Sequence, residues 1–416
     1  MKNIAIIGGG ISGLFSAYFL HKSGYKVSVY ESSKIGVECS YGNAGLTVPS
    51  HFEALANPGV LKKGLKWMLN PNSPFFLKPR FDMDLIKWII RFNSFCTKKN
   101  VENNKYFLRD ISLYSTSLYK DLMNSTDFDF DYKNTGLLML CKEEKTLKEE
   151  EHLIKEANEL GLKGRILNQD DLKQLEPNAS FDVLGAAYYE DDGRVQPYDL
   201  IIAIKNYLEK EGVVFKEDCT IKDINISNVK IDSIVDNNNN VYYADEFIFT
   251  AGVYTSNIAK KFNLNIPMQG GKGFSFKVDK NDALNFTTPM ILAEEKVAIT
   301  PYDSYVNFAG TMMICGEDKS IVQRRVNNIR NASNNYINGL DIKENQMDDL
   351  WAGLRPCSPD GIPYIGRSKE LSNLIIATGH AMIGISLGPA TGKIVTSLIN
   401  EEKPDLDIEK MNLYRF

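Results

Sequence analysis

The stretch IAIIGGGISGLFSAYFL, residues 4–20, constrains the fold more than any other part of this chain. Residues 3–7 predict a short buried strand and residues 12–21 a helix. Gly8, Gly10 and Gly13 lie between them in the spacing G-x-G-x-x-G. In such a turn the first glycine permits the tight reversal, the second lets a pyrophosphate approach the backbone, and the third lets helix pack closely on strand. The free amides at the helix start, around Ile11 and Ser12, then face the phosphates. Glycine triplets also occur in ordinary turns, so context decides. After the helix, YKVSVYES (25–32) predicts a second strand, and Glu31 stands at its end, eighteen positions beyond Gly13, with Ser32 beside it. A carboxylate there suits a ribose diol.

FAD and NAD both carry an ADP half, so this unit alone leaves the choice open. Two later segments bear on it. DEFIFTAG (245–252) predicts a return strand that ends at Ala251 and Gly252 beneath the cofactor. NLIIATGHAMIGISLGPATGKIVTSLI, from residue 373, predicts a strand at 374–378, a turn at Gly379 and His380, and a helix from about Gly384 whose N-terminus points inward. Reduced flavin carries negative charge near N1 and the C2 oxygen, which a helix dipole and free amides stabilise. NAD makes no comparable demand, so the residues favour FAD.

A chain of 416 residues has room for two or three domains. A net charge of −5 gives no electrostatic footprint for nucleic acid. Cys39, Cys96, Cys141, Cys219, Cys315 and Cys357 show no CxxC or metal-ligand spacing, which predicts buried reduced thiols and a cytoplasmic setting. Lys2 is the only early positive charge and glycines interrupt the apolar run, so no signal peptide is expected. The best candidate for membrane contact is LKWMLNPNSPFFL, residues 65–77. His21, His51 and His152 suggest no catalytic triad, the run KEEEH reads as a solvated helix face, and no metal site is expected.

Dinucleotide-like pieces at both ends and in the middle predict two interleaved domains. Helical periodicity runs through 83–123, TGLLMLC predicts a strand, and KTLKEEEHLIKEANELG a charged helix stopped by Gly161. A helix and strand follow in NYLEKEGVVF, then a β meander over 220–249 with an Asn-rich tip. Residues 266–316 are strand-rich, as an antiparallel substrate sheet requires. The fold class is therefore α/β (α+β overall), a Rossmann-like FAD domain interleaved with a substrate domain built on an antiparallel sheet with helices. The expected boundaries are 1–82, 147–262 and 350–416 for the FAD domain, and 83–146 and 263–349 for the substrate domain.

Four segments carry a family likeness: ECSYGNAG (38–45), NPGVLKKGLKWML (57–69), KVAITPYDSYVNFAGTMMICG (296–316) and WAGLRPCSPDGIPYIGR (351–367). Through them the chain resembles, nearly from end to end, the FAD-dependent D-amino-acid dehydrogenases of the D-amino-acid oxidase superfamily. Gly59, Lys66 and Trp67 resemble the dehydrogenases more than the oxidases. The resemblance implies cofactor contacts from Ser40, Asn43, Ala44 and Gly45, a main-chain contact to adenine from Ile221, and a flavin-lining turn of Gly379, His380, Ile383 and Gly384. Arg355 matches the arginine that pairs with the substrate carboxylate, a task a planar guanidinium suits. Tyr302, with Tyr254 and Tyr305, is a candidate pocket aromatic. Glycine oxidases place a second arginine where this chain has Met382, which implies a larger, partly apolar substrate. Cys357 lies about four positions from the cysteine that tethers FAD in sarcosine oxidases, so noncovalent FAD is expected.

The activity so implied is oxidation of the CH–NH bond of a D-amino acid to an imine and then a keto acid, with hydride transfer to flavin N5 and no catalytic side chain assigned. Electrons would pass to a quinone or other carrier, with a peripheral contact on the cytoplasmic membrane among the implied partners. The alternatives are a D-hydroxyproline, sarcosine or glycine-type amine dehydrogenase or oxidase on the same scaffold, and a flavin-binding subunit without turnover of its own.

Overall fold

The computed structural model describes residues 1–60, 73–125 and 127–416. Lys66, Trp67 and most of the 65–77 candidate for membrane contact lie outside the described residues.

Ile4, Ala5, Ile6 and Ile7 are all buried, as a strand covered on both faces requires. The strand Asn3–Ile7 pairs in parallel with Lys26–Tyr30 on one side and Glu246–Phe249 on the other. Val214–Lys216 extends this sheet at one edge, and Leu374–Thr378 followed by the antiparallel Tyr364–Arg367 at the other, giving six strands. Two helices cover one face: Ile11–Lys22, apolar around most of its circumference, and Gly384–Asn400. They approach closely because Gly388 and Gly392 face Phe15, whose ring and backbone fill the space a Cβ would need. The expected strand–turn–helix–strand unit is therefore present, with its helix one residue longer at each end than the periodicity indicates.

A nine-stranded sheet forms the second layer. Its order is Asp348–Cys357, Gln269–Asp279, Tyr305–Ile314, Val297–Pro301, Met290–Leu292, Leu137–Cys141, Gly185–Tyr189 and Gly164–Leu167, with Phe75–Leu77 paired beside Tyr305–Ile314. Most pairs are antiparallel, but Met290–Leu292 runs parallel to Leu137–Cys141.

This pairing corrects the expected boundaries. Strands Gly164–Leu167 and Gly185–Tyr189, with helix Glu144–Glu159 packed beside them, sit on the second sheet, so 147–189 does not belong with the FAD domain. Strand Asp348–Cys357 also joins that sheet. Conversely, helix Lys98–Met123 packs against Gly384–Asn400. Its Leu108, Ile111 and Tyr119 share one core with Ile11 and Phe15, and the Tyr119 hydroxyl donates to the Ile385 carbonyl at 2.7 Å. Periodicity reveals that a helix has a buried face, not which sheet covers it.

Two smaller sheets complete the fold. Ile221–Ser227, Lys230–Asp236 and Val241–Tyr243 form the expected meander. Leu46–Thr47, Gly193–Val195 and Tyr132–Lys133 form a three-stranded clip, unforeseen because its strands are only two or three residues long. Among the described residues, no helix is long and apolar enough to cross a membrane.

Candidate active site

The glycine turn is built around contacts that exclude side chains. Gly8 has φ +113°, and a Cβ there would lie 2.6 Å from the Thr250 carbonyl oxygen. A Cβ on Gly13 would fall on the carbonyl oxygen of Gly8, so the third glycine lets the helix sit directly behind the turn. Glu31 is almost fully buried. One of its oxygens accepts from the Gly9 amide at 2.7 Å, and the other accepts from the Ser33 amide and the Ser32 hydroxyl, each at 3.0 Å. The Ser40 hydroxyl accepts from the Ile11 amide at 3.1 Å, which ties residue 40 to the helix start.

Between the sheets lies a cavity of about 370 Å³. Glu31, Ser32 and Ile221 line it, as do Gly8, Gly10, Ile11 and Ser12 at the glycine turn. Ser40, Asn43, Ala251, Gly252, His380 and Gly384 complete the set of expected contacts that reach it. Five expected contacts stand behind the wall. Gly13 packs beneath Gly8, while Gly379 (φ +83°) turns against the Tyr364 ring. Ile383 donates its amide to the His380 carbonyl at 3.0 Å. Ala44 and Gly45 are held by the second sheet and the clip: the Ala44 carbonyl accepts from the Thr300 hydroxyl of the second sheet at 2.7 Å, and the Gly45 carbonyl from the Val195 amide of the clip at 2.7 Å. Asn307 Nδ2 also donates to the Asn43 carbonyl at 3.2 Å. Thr300 and Asn307 were not singled out in the sequence. Their signal is a polar residue at an inward strand position, and both are buried.

Tyr302 requires a correction. It is buried, and its hydroxyl donates toward the Val195 carbonyl (3.1 Å) and the Ala44 carbonyl (3.3 Å), with the Arg194 guanidinium 4.9 Å from its ring centre. It braces the 43–45 segment from behind, because the clip strand leaves its hydroxyl no open space.

The residues fit FAD. The floor is glycine, and neither helix that ends at the cavity carries an acidic residue in its first turn, so both positive dipole ends face it uncompensated. Glu31 supplies the acceptor for a diol.

His380 Nε2 lies 2.9 Å from the Thr391 hydroxyl, which itself donates to the Leu387 carbonyl at 2.8 Å, so the ring nitrogen is the donor. Burial pushes the His380 pKa down to about 4, leaving the ring neutral at physiological pH. Arg355 lies on Asp348–Cys357 between Leu354 and Pro356, both on the cavity wall. Its guanidinium lies over Gly273, where any side chain would displace it, and donates to the Thr311 carbonyl at 2.7 Å. Thr311 has φ +66° at a bulge opposite Gly273, an unusual backbone for a β-branched residue that turns its carbonyl toward the arginine. No ion pair to Arg355 is found among the described residues. Burial lowers its pKa, against an opposing pull from Cys39 and Cys357, from an ordinary value high enough that the charge persists. Cys357 stands off the cavity wall, and burial pushes its thiol up to about 12. Trp351 occupies a slot between Gly42 and Gly353.

A Ser–His–Asp grouping does occur, which the sequence did not reveal. The Ser50 hydroxyl lies 3.3 Å from His51 Nδ1 and donates to Asp192 at 2.5 Å. The carboxylate contacts the serine and not the histidine, so the order of a charge-stabilised triad is absent. No group of three or more His, Cys, Asp or Glu side chains suited to a metal is found among the described residues.

A Rossmann-like sheet whose cavity is closed by a second, largely antiparallel sheet defines the class of two-layer flavin enzymes. Comparison with known proteins agrees: residues 3–398 match the model of the DAO family, described as FAD dependent oxidoreductase, and the chain belongs to that family. It is an FAD-dependent oxidoreductase. It is 29% identical over 409 residues to a D-amino acid dehydrogenase of Helicobacter pylori, covering 97% of each chain. It is 27% identical over 423 residues to D-amino acid dehydrogenase 1 of Mesorhizobium japonicum, covering 99% of each. Among solved structures, glycine oxidase from Geobacillus kaustophilus superposes with a TM-score of 0.79 at 20% identity over the whole of both chains. L-proline dehydrogenase from P. horikoshii gives 0.75 at 20% identity, covering 100% of this chain and 97% of the other.

Proposed function

We propose that this enzyme oxidises the CH–NH bond of D-amino acids, passing the electrons to a quinone or other carrier. The observation that carries the reading is Arg355, a planar cation braced by the Thr311 carbonyl and without a carboxylate partner among the described residues; it does not itself line the cavity, but its strand neighbours Leu354 and Pro356 do. The names of the relatives with 97–99% mutual coverage support the same substrate class. Bound FAD supplies the two-electron acceptor. Arg355 holds the substrate carboxylate with two parallel hydrogen bonds and fixes the orientation of Cα. Asn43 and the helix-start amides of Gly384 and Ile385 would favour negative charge on the reduced cofactor.

The chain offers no free base at the cavity wall among the described residues. Glu31 is held by the Gly9 and Ser33 amides, Glu38 is paired with Lys319, and His380, whose Nε2 donates to Thr391, keeps a lone pair on Nδ1 that burial makes too weak a base, at about 4, to take a proton from an ammonium group. The substrate amine therefore reacts as the neutral form it reaches in solution. Met382, 45% exposed, stands where a second arginine would favour a glycine-sized substrate, which supports a larger, partly apolar side chain.

A membrane surface suits one face. On helix Met83–Phe95, Leu85, Trp88 and Phe92 are buried, and Trp88 Nε1 donates to the Cys357 carbonyl at 2.9 Å. Met83, Ile86 and Ile90, with Phe81 ahead of them, are exposed together on the other side. Such a stripe supports peripheral docking close to the cavity, where a lipid-soluble quinone is reached. The test is anaerobic mixing of the purified yellow enzyme with D-amino acids, their L-enantiomers, D-hydroxyproline, sarcosine and glycine. Bleaching by D-amino acids alone is the expected result, and bleaching only by L-enantiomers or glycine overturns it. Arg355→Ala is expected to retain FAD and lose turnover; unchanged kinetics would remove the clamp. Ile86→Glu with Ile90→Glu is expected to abolish flotation with anionic vesicles.

A further inference from the structure

Lys272 is fully buried and takes no part in the chemistry above. A buried ammonium is costly unless paired. Its Nζ donates to the Ser320 carbonyl at 2.9 Å and to Asp318 Oδ2 at 3.2 Å, and the other Asp318 oxygen accepts from the Ser320 amide at 2.8 Å. The short loop after Tyr305–Ile314, turned at Gly316 (φ +75°), is thus fixed from below by one strand of the second sheet.

From that loop two side chains reach across to the cavity wall. Lys319 Nζ meets both oxygens of Glu38 at 2.8 and 2.9 Å. Glu317 accepts from Asn257 Nδ2 at 2.8 Å. Glu38 and Asn257 both line the cavity, although more than two hundred residues of chain separate them. A carboxylate on the wall of a cavity built for a diphosphate is electrostatically unfavourable, and Lys319 neutralises it.

We propose that the 316–320 loop is a clasp that retains FAD, with Lys272 as its positioning residue and the Glu38–Lys319 pair as its closure. The proposal rests on FAD occupying the cavity between the two sheets. It makes a prediction of unusual sign. If Glu38 acted only through its charge, neutralising it would tighten FAD; as part of a clasp, neutralising it loosens FAD.

The experiment dilutes FAD-loaded enzyme into FAD-free buffer and follows release by the rise in flavin fluorescence. Glu38→Gln and Lys319→Met are each expected to lose FAD about threefold faster than the parent, the scale of a half-exposed ion pair. The double variant should be no faster than either single one. Unchanged release, slower release from Glu38→Gln, or multiplying effects in the double variant would overturn the clasp. Lys272→Met should release FAD at least as fast as Lys319→Met, and parent-like release refutes the anchoring. Ser12→Asp separates the clasp from the FAD seat: an acid in the first turn favours the helix but repels a pyrophosphate. Weakened FAD binding in Ser12→Asp supports the seat, and unchanged binding overturns both.

Discussion

Replacing Glu31 by glutamine tests whether its carboxylate organises the glycine turn itself or only greets the ligand. The carboxylate accepts from two backbone amides on opposite sides, Gly9 at 2.7 Å and Ser33 at 3.0 Å. Glutamine has one acceptor oxygen. If that oxygen keeps Gly9, the NH2 group is turned on the Ser33 N–H and that bond is lost, while the Ser32 and Ser33 hydroxyls can rotate to accept. A hydrogen bond to a charged group contributes about 1.5–3 kcal/mol, so Glu31→Gln should lower the stability of FAD-free protein by about 2 kcal/mol. Glu31→Ala abandons both amides and should cost about 4 kcal/mol on the same scale. Urea denaturation of FAD-free protein, followed by circular dichroism, measures both, and an FAD titration of each variant accompanies it. A parent-like urea midpoint for Glu31→Gln together with weakened FAD binding would refute the reasoning, because the carboxylate would then act on the ligand alone.

Four other outcomes are expected. Burial is the first cause that raises Asp192 to about 7, against about 3.9 unfolded. The native state therefore holds a proton between these values that the unfolded state has released, and stability falls as pH rises through that window. Asp192→Asn should remove that slope, gaining on the parent between pH 4 and 7 in urea midpoints; a constant difference would contradict it. His51 and His380, both pushed down to about 4 by burial, act oppositely, losing stability as pH falls below the unfolded histidine value of about 6.5. With no free base on the wall, kcat/KM for a D-amino acid should climb with pH toward the substrate amine pKa, and a plateau starting near pH 6–7 would reveal an enzyme base. Gly353→Ala should expel the Trp351 indole from its slot and shift tryptophan emission to the red, whereas an unchanged spectrum would show that the strand yields instead.

The glycine turn and its partners were legible because each step has a local chemical signature: apolar run, glycine spacing, alternating strand, terminal acid. The C-terminal helix was placed at Gly384, its observed first residue, for the same reason. What escaped was everything set by long-range partners. The side chains of Thr300, Tyr302 and Asn307 brace the 43–45 segment from a strand pair more than 250 residues away, and no periodicity encodes that meeting. Tyr302 read as a pocket aromatic because a tyrosine in a strand-rich substrate region has the right chemistry; the two- and three-residue strands that bury it are too short to leave a pattern. The domain boundaries missed at 147–189 because a solvated helix between two short strands reads alike beside either sheet. Arg355 is proposed through its family likeness, while its brace, a main-chain carbonyl at a bulge, has no sequence signature.

The first strand of the six-stranded sheet lies between neighbours made very early and very late: Lys26–Tyr30 on one side, Glu246–Phe249 on the other. Its covering helix finds its partner, Gly384–Asn400, near the end of the chain. At about 5–20 residues per second, the glycine turn leaves the ribosome about 20–70 s before the helix that packs over it. During that interval the helix has only its earlier partners, Lys98–Met123, whose Tyr119 ring meets Phe15, and Pro197–Lys210. A chain truncated before residue 384 would keep the whole fingerprint yet lack the cavity wall at Gly384 and Ile385, and is expected to capture no flavin.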